Sequence, residues 1–122
     1  MTNRPLVRWW LRGLVVLLLG ACSAADEDMP PGSLAGADAI RRYGCGTCHI
    51  IPGIEGALGT VGPSLAGVAR RVYLAGRLPN TPDTMAQWIS NPQRFVPGSA
   101  MPDMQVSLAD ARAIASFLGR RR

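Results

Sequence analysis

The hydrophobic positions of the chain form one unbroken run near the N terminus and three later stretches with helical spacing. In the first of these stretches, Leu34, Ala37 and Ile40 recur at intervals of three, as on one face of a helix. Ser33 is a residue type that caps helices, and Gly44 is a type that ends them. We therefore predict a helix between these two residues.

The second helical stretch has a clear start signal. Thr81 supplies a capping hydroxyl, and Pro82 occupies the first helical position, where its missing N–H is not needed. The helix must end near Asn91, because Pro92 disfavours helical backbone at the residue before it. The face expected to lie in the core carries Met85, Trp88 and Ile89.

The third helical stretch opens with a capping box that runs from Ser107 to Asp110. Gly119 is expected to end it. Small residues at Gly36 and Ala37 in the first helix would allow another helix to cross closely. The matching stripe of the last helix consists of Ala111, Ile114, Ala115 and Leu118. We therefore expect the first and last helices to cross in contact.

The segments between these helices are irregular. The loop at 50–61 is rich in glycine, which lets backbone pass close to a flat ligand. The segment 64–77 predicts one irregular helix or two short turns. The expected fold is therefore all-α.

The unbroken apolar run, 14–19, follows three arginines and precedes small residues and Cys22. This order is typical of a secretory signal peptide. The run is far shorter than the roughly twenty residues that span a bilayer. The tetrapeptide 19–22 resembles a bacterial lipobox, which implies that Cys22 carries lipid and becomes the mature N terminus.

Three segments follow from this interpretation. We assign 1–21 to a lipoprotein signal peptide, 22–32 to the lipidated Cys and a flexible, acidic, proline-containing tether, and 33–122 to the folded domain. The alternatives are an uncleaved anchor helix, or an ordinary signal peptide with Cys22 as an incidental residue. In each case the domain is exported, to the periplasm or the outer side of the cytoplasmic membrane.

The charge of the chain argues against nucleic acid as a partner. The 122 residues carry a formal net charge of +5, with 13 basic and 8 acidic residues. Removal of the three arginines of the signal peptide leaves ten basic against eight acidic residues, or +2. All the basic residues are arginines, and they form no basic stripe with interleaved aromatic residues.

The most informative motif is the sequence Cys-Gly-Thr-Cys-His at 45–49. Cys45 and Cys48 can form thioethers with the two vinyl groups of one haem, and His49 then lies where its ring can ligate the iron. A redox disulfide is the competing interpretation, but the βαβ pattern of thioredoxin-like proteins is absent. A zinc site would need carboxylate ligands without recognisable spacing, because the chain has one His and three Cys.

A second axial ligand must come from a residue other than histidine. Met101 is the candidate, because it lies in a loop bounded by Pro97 and Pro102 that would present its thioether rigidly. Met104 is the alternative.

Two further residues have candidate roles beside the cofactor. The carbonyl of Pro63 is a candidate acceptor for the second N–H of the His49 ring. Either Arg70 or Arg71 can offset a haem propionate, or both can be solvated.

Together these residues resemble the class I mono-haem cytochromes c over 34–118. The matching positions are Cys45, Cys48, His49, Gly62, Pro63, Leu65 and Met101. The resemblance implies a small helical fold closed around one covalent haem c, with crossed N- and C-terminal helices. It also implies that Pro63 orients His49, that Arg71 contacts a propionate and that Trp88 lies beside the axial methionine.

Several stretches resemble in particular the cytochrome c domain of subunit II in caa3-type oxidases, namely 75–82, 88–89, 91–93 and 97–102. The chain lacks a pair of cysteines for the dinuclear copper centre of that subunit, and it lacks the lysines that surround the haem edge in the family. The resemblance implies a membrane-anchored carrier of single electrons, not an enzyme, without a small-molecule substrate. Its expected partners are a quinol-oxidising complex and a terminal oxidase.

Two other functions stay open from the sequence. The chain can be a fixed haem subunit of a dehydrogenase or oxidase complex. It can also be a haem sensor or peroxidase in which Met101 detaches from the iron.

Overall fold

The computed structural model describes residues 31–120, which form four α-helices and one small sheet. The helices are α1 (Pro31–Arg42), α2 (Pro82–Ser90), α3 (Pro92–Phe95) and α4 (Leu108–Arg120). Short 3-10 turns occur at Cys45–Thr47 and Val68–Arg70, and the strands are β1 (Tyr73–Leu74) and β2 (Leu78–Pro79). The predicted signal peptide, the lipid site at Cys22 and most of the tether lie outside the described residues. None of the helices within 31–120 is long and apolar enough to cross a membrane.

The first helix begins earlier than its sequence pattern predicts. α1 starts at Pro31, a residue that the first turn of a helix tolerates because no intrahelical partner is lost. Ser33 therefore lies inside the helix and is only 6% exposed, so its predicted capping role is wrong. The end of α1 is as predicted, because Gly44 follows in the left-handed conformation with φ of 67°.

The start and end of α2 confirm the sequence prediction. The Thr81 hydroxyl accepts a hydrogen bond from the Thr84 N–H at 3.1 Å, and Pro82 is the first helical residue. The helix ends at Ser90, just before Asn91 and Pro92. Asn91 Oδ1 then accepts from the Arg94 N–H at 3.0 Å and caps α3, a four-residue helix that the hydrophobic pattern did not predict.

The fold is mainly helical, and the all-α prediction misses one β-hairpin. β1 and β2 pair antiparallel, with Leu74 opposite Leu78. The turn between them needs positive φ at two successive residues, and Ala75 (48°) and Gly76 (72°) provide them. The strands have only two residues each, which is too short for an alternating pattern in the sequence. The 3-10 turn at Val68–Arg70 does match one of the short turns expected in this segment.

α1 and α4 pack directly against each other, as their small residues predict. A Cβ atom on Gly36 would overlap the Ala113 carbonyl and the Cβ of Phe117, so the backbones meet at this point. The predicted apolar stripes are buried at Ala37, Ile40, Ala111, Ile114, Ala115 and Leu118. Gly119 does not end α4, which continues to Arg120.

Asp110 joins the end of α1 to the start of α4. Its carboxylate accepts hydrogen bonds from the Ser107 hydroxyl at 2.8 Å and the Tyr43 hydroxyl at 2.8 Å, and it pairs with Arg42 at 2.7 Å. The Ser107 hydroxyl in turn accepts from the Asp110 N–H at 3.1 Å, which confirms the predicted cap. These bonds fix the end of α1 at the point where the chain enters the Cys-x-x-Cys-His motif.

Candidate functional site

The Cys-x-x-Cys-His motif is a tight turn that follows α1 directly. The 3-10 turn Cys45–Thr47 begins after Gly44, and the Cys45 carbonyl accepts from the N–H groups of both Cys48 (3.3 Å) and His49 (3.1 Å). Both cysteines are half-buried and have free thiols. The turn therefore gathers two thiols and one imidazole within five residues of backbone.

The Cys45 thiol differs from the reactive thiol of a redox motif. Its burial raises the pKa of Cys45 above the ordinary value, and the nearby Cys48 adds to the rise, while a backbone hydrogen bond opposes it. Redox Cys-x-x-Cys motifs instead lower the pKa of their attacking cysteine, because the thiolate is the nucleophile. The raised pKa of Cys45 therefore gives no support to a role in thiol–disulfide exchange.

The His49 ring is fixed by a hydrogen bond across the loop. Its Nδ1 lies 2.7 Å from the carbonyl oxygen of Pro63, fourteen residues further along the chain. A carbonyl can only accept, so Nδ1 carries the proton, and in the neutral ring Nε2 then keeps its lone pair. This is the tautomer in which a histidine can ligate a metal through Nε2.

Gly62 lies against the same imidazole. A Cβ atom at this position would overlap the His49 ring, so only glycine leaves room for it. The Gly62 N–H donates to the Cys48 carbonyl at 2.7 Å, and the Leu65 N–H donates to the Ile50 carbonyl at 2.9 Å. The loop is thereby folded back onto the motif, and the ring is held between the motif and the Gly62–Pro63 backbone.

Apolar side chains beside the motif are left open to solvent. Leu58 is 75% exposed and Val61 is 79% exposed, although both belong to the loop that folds over the motif. Ile50, next to His49, is 37% exposed and forms a bridge with Leu58. An apolar ligand or partner that covered these side chains would remove apolar surface from water, which is favourable.

Arg71 is held near the same loop by the backbone. Its Nη2 donates to the Ser64 carbonyl at 2.5 Å, and the Asn80 amide donates to the carbonyls of Arg71 and Val68 at 2.8 Å each. The Arg71 side chain is exposed, so its remaining N–H groups can reach an anionic group from solvent. Asn80 had no role in the sequence interpretation, since its two acceptors depend on the path of the Val68–Arg70 turn.

Trp88 and Met101 lie on other elements. Trp88 is half-buried and packs against the core from α2. Met101 is half-buried in the loop after α3, whereas Met104 is 44% exposed. Among the predicted site residues, a hydrogen bond joins His49 to Pro63, and Arg71, Trp88 and Met101 are each held by other neighbours.

Gln93 also belongs to this region, although no role was predicted for it from the sequence. Its side-chain amide contacts the backbone of the Met101 loop at three points. The only signal in the sequence was its place in the stretch 91–93, which belongs to the resemblance described above. The contact depends on the orientation of α3 relative to the Met101 loop. No pattern of apolar residues in the sequence predicts that orientation.

A polar groove lies away from the motif. It has a volume of about 460 Å³ and is formed by α2, α3 and the first turns of α4, with Asp83, Arg94 and Arg112 in its lining. None of the predicted site residues lines it. Within 31–120, no three His, Cys, Asp or Glu side chains come together as a group that could hold a metal ion.

Comparison with known proteins gives one distant similarity. No protein-family model matches the chain, and no solved structure matches it either. The chain is 29% identical over 98 residues to a protein described as cytochrome c oxidase subunit 2 from Alkalihalophilus pseudofirmus. The match covers 78% of this chain and 28% of the relative, so the chain spans little more than a quarter of that protein's length. The chain is therefore distantly similar to one part of a cytochrome-oxidase subunit.

Proposed function

We propose that this protein is a mono-haem c-type cytochrome that carries single electrons in a respiratory chain. The observation that carries the proposal is the His49 imidazole, whose Nδ1 is 2.7 Å from the Pro63 carbonyl and whose Nε2 is left to ligate. This ring directly follows two free, half-buried thiols in one tight turn. A haem c needs these three groups in this order.

The other residues around the motif fit the same cofactor. Cys45 and Cys48 would hold the porphyrin through thioethers, and Gly62 leaves space for the imidazole beneath it. The exposed Leu58 and Val61 would gain an apolar surface to cover them. Arg71 would offset the negative charge of a propionate. A bound haem supplies one-electron chemistry, since its iron is stable in both the ferrous and ferric states.

Met101 is the residue that we assign as the second axial ligand. A thioether opposite a histidine favours ferrous iron and raises the reduction potential. Its loop is held at several backbone positions, which would restrain the thioether beside the cofactor. Trp88 would form part of the wall beside it, and no small-molecule substrate has to enter.

The partners proposed are a quinol-oxidising complex as electron donor and a terminal oxidase as acceptor. The similarity to a cytochrome c oxidase subunit 2 supports the acceptor side. A lipid on Cys22 would keep the carrier at the outer surface of the membrane that holds these complexes. Intact-mass measurement of the mature protein tests this anchor, and a chain that begins at Met1, or at Cys22 without lipid, would contradict it.

Carbon monoxide binding by the ferrous protein tests the assignment as a carrier. We expect no rapid reaction with carbon monoxide in the unmodified protein, because His49 and Met101 would both ligate the iron. Met101→Ala should open the iron and bind carbon monoxide, whereas Met104→Ala should behave as the unmodified protein does. Rapid carbon monoxide binding without any substitution would contradict a carrier and favour a sensor or peroxidase.

Electron transfer itself is tested by stopped-flow mixing with isolated complexes. The reduced protein should be reoxidised by a terminal oxidase within the turnover time of that enzyme, and the oxidised protein should be reduced by a quinol-oxidising complex. Failure to react with any terminal oxidase would contradict the proposed place in the chain.

A further inference from the structure

The loop that carries Met101 has no regular secondary structure of its own. It leaves α3 at Phe95 and passes Gly98, whose φ of 79° is in the left-handed region. A loop of this kind stays in one conformation only where its backbone groups have partners. Three backbone groups of this loop have their partner in the side chain of one residue on α3, Gln93.

Gln93 makes three hydrogen bonds to the loop. Its Nε2 donates to the carbonyl of Ser99 at 2.9 Å and to the carbonyl of Met101 at 2.8 Å. Its Oε1 accepts from the N–H of Gly98 at 2.9 Å. Both N–H groups of the amide and its oxygen are therefore used, and the opposite orientation of the amide would place like groups together at all three contacts.

The Met101 backbone is consequently held on both sides. Its carbonyl accepts from Gln93, and its N–H donates to the Ser99 hydroxyl at 3.2 Å. The base of this arrangement is also fixed, because Asn91 caps α3 and Pro92 is among the most deeply buried residues. A displacement of the Met101 backbone therefore breaks its hydrogen bonds to Gln93 and Ser99.

We propose that Gln93 is the positioning residue that holds the Met101 thioether in place and so keeps external ligands from the iron. This inference rests on the proposed function, because it takes Met101 as the axial ligand. Gln93 acts through the loop backbone. Without its amide, the carbonyls of Ser99 and Met101 and the N–H of Gly98 lose their side-chain partner, and the loop can open.

The test compares three variants of the full-length holoprotein. Gln93→Ala removes all three hydrogen bonds, and Gln93→Glu keeps the acceptor for Gly98 but places a carboxylate oxygen against two carbonyls. Gln87→Ala is the matched control, because Gln87 is an exposed glutamine of α2 whose side chain has no hydrogen bond among residues 31–120. Because each lost hydrogen bond weakens the closed form of the loop, loop opening should become at least tenfold more frequent in both Gln93 variants.

Two readouts are needed. Carbon monoxide binding to the ferrous protein should become at least tenfold faster in Gln93→Ala and Gln93→Glu, with Gln87→Ala unchanged. Amide hydrogen exchange at Gly98 should accelerate by a similar factor in Gln93→Ala, while the core amides of α4 keep their protection. The second readout follows the loop itself and separates its opening from general unfolding.

The outcomes distinguish this inference from the function on which it rests. If the unmodified protein carries haem with Met101 bound, and both Gln93 variants match Gln87→Ala in carbon monoxide binding and Gly98 exchange, Gln93 has no positioning role. If Gln93→Ala does not fold, two other measurements test the inference. These are carbon monoxide binding by Gln93→Glu and the Gly98 exchange rate of the unmodified protein. Unprotected Gly98 in the unmodified protein would overturn the inference. An unmodified protein without haem would overturn both proposals.

Discussion

The His49 imidazole depends on two neighbours that the chain brings back to it across a loop. Pro63 fixes the tautomer through its carbonyl, and Gly62 leaves space for the ring. A proline carbonyl suits this role, because Pro63 has no N–H of its own and its φ is fixed. The role of Pro63 was predictable from the sequence once the Cys-x-x-Cys-His motif had been recognised, whereas the contact of Gly62 with the ring was not.

Gly62→Ala should displace the His49 ring. The added Cβ would overlap the imidazole, and overpacking of this kind costs about 1–3 kcal/mol. We expect a lower haem content per chain and a lower midpoint of thermal unfolding. Gly119→Ala is the control, because a Cβ there meets nothing within 4 Å. Equal haem content and stability in the two variants would contradict the close packing of Gly62 on the ring.

Other contacts of single residues were beyond sequence reasoning. The sequence left Arg70 and Arg71 as alternatives, and the structure gives the Arg71 guanidinium a backbone acceptor at Ser64. Gln93 and Asn80 act through amide groups that bridge backbone atoms of separate loops. These hydrogen-bond partners depend on the conformation of irregular loops. Such loops have no periodic pattern of apolar residues from which the sequence could predict them.

At the scale of elements, end signals and apolar periodicity predicted the helices well. Thr81 and Ser107 cap the helices that they were expected to cap, and the apolar stripes of α1 and α4 meet. The errors lie where a local signal is weak: Ser33 is inside α1, α4 continues through Gly119, and the two-residue strands were missed. A short hairpin is fixed by its turn and its neighbours more than by its own residues.

The crossing of α1 and α4 predicts that Gly36→Ala destabilises the domain. Alanine in place of glycine normally stabilises a helix by about 1 kcal/mol. Here the added Cβ would overlap the Ala113 carbonyl and the Phe117 Cβ, and separating two backbones costs more than that, about 1–3 kcal/mol. Urea unfolding should show a lower midpoint for Gly36→Ala and an equal or higher one for Gly119→Ala. A higher midpoint for Gly36→Ala would show that the helices do not meet there.

The link between α1 and α4 at Asp110 predicts a dependence of stability on pH. The Ser107 hydroxyl, with Tyr43 and Arg42, lowers the pKa of the Asp110 carboxyl below its ordinary value of about 3.9. The stabilisation is therefore present above that unfolded-state value and is lost as the pH falls through the lower folded-state pKa. We expect Asp110→Asn to be less stable than the unmodified protein at neutral pH, with a difference that shrinks in acid.

Urea midpoints measured across a pH series check this prediction. Asp83→Asn is the matched control, since Asp83 is an exposed carboxylate of the first turn of α2 whose side chain has no hydrogen bond in the described part of the chain. A constant difference between the unmodified protein and Asp110→Asn at every pH would contradict the role of the charged carboxylate.

At the scale of the whole molecule, the charge distribution bears on how partners meet. The mature chain is expected to carry ten arginines against eight acids, without any lysine. Electrostatic steering requires a surface of one dominant sign. A lipid anchor that confines the protein to the membrane surface would replace steering as the means of encounter.

Oxidation by a terminal oxidase should therefore respond weakly to salt. Between low and physiological ionic strength, we expect the second-order rate constant to fall by less than about tenfold, below the 10- to 1,000-fold acceleration that steered pairs show. Stopped-flow measurements at several salt concentrations give the salt dependence of this rate constant directly. A steep fall would indicate a charged docking surface that the arginines alone can form.

The covalent attachment of haem is the central claim, and the intact mass of the denatured, purified protein tests it most directly. The protein should be exported from a host that attaches c-type haem. We predict the mass of one chain plus one haem, because the covalently attached haem resists denaturation and extraction. The haem mass should be absent when Cys45 and Cys48 are both replaced by alanine. A colourless protein of unmodified domain mass, with both thiols free to alkylate, would contradict the account.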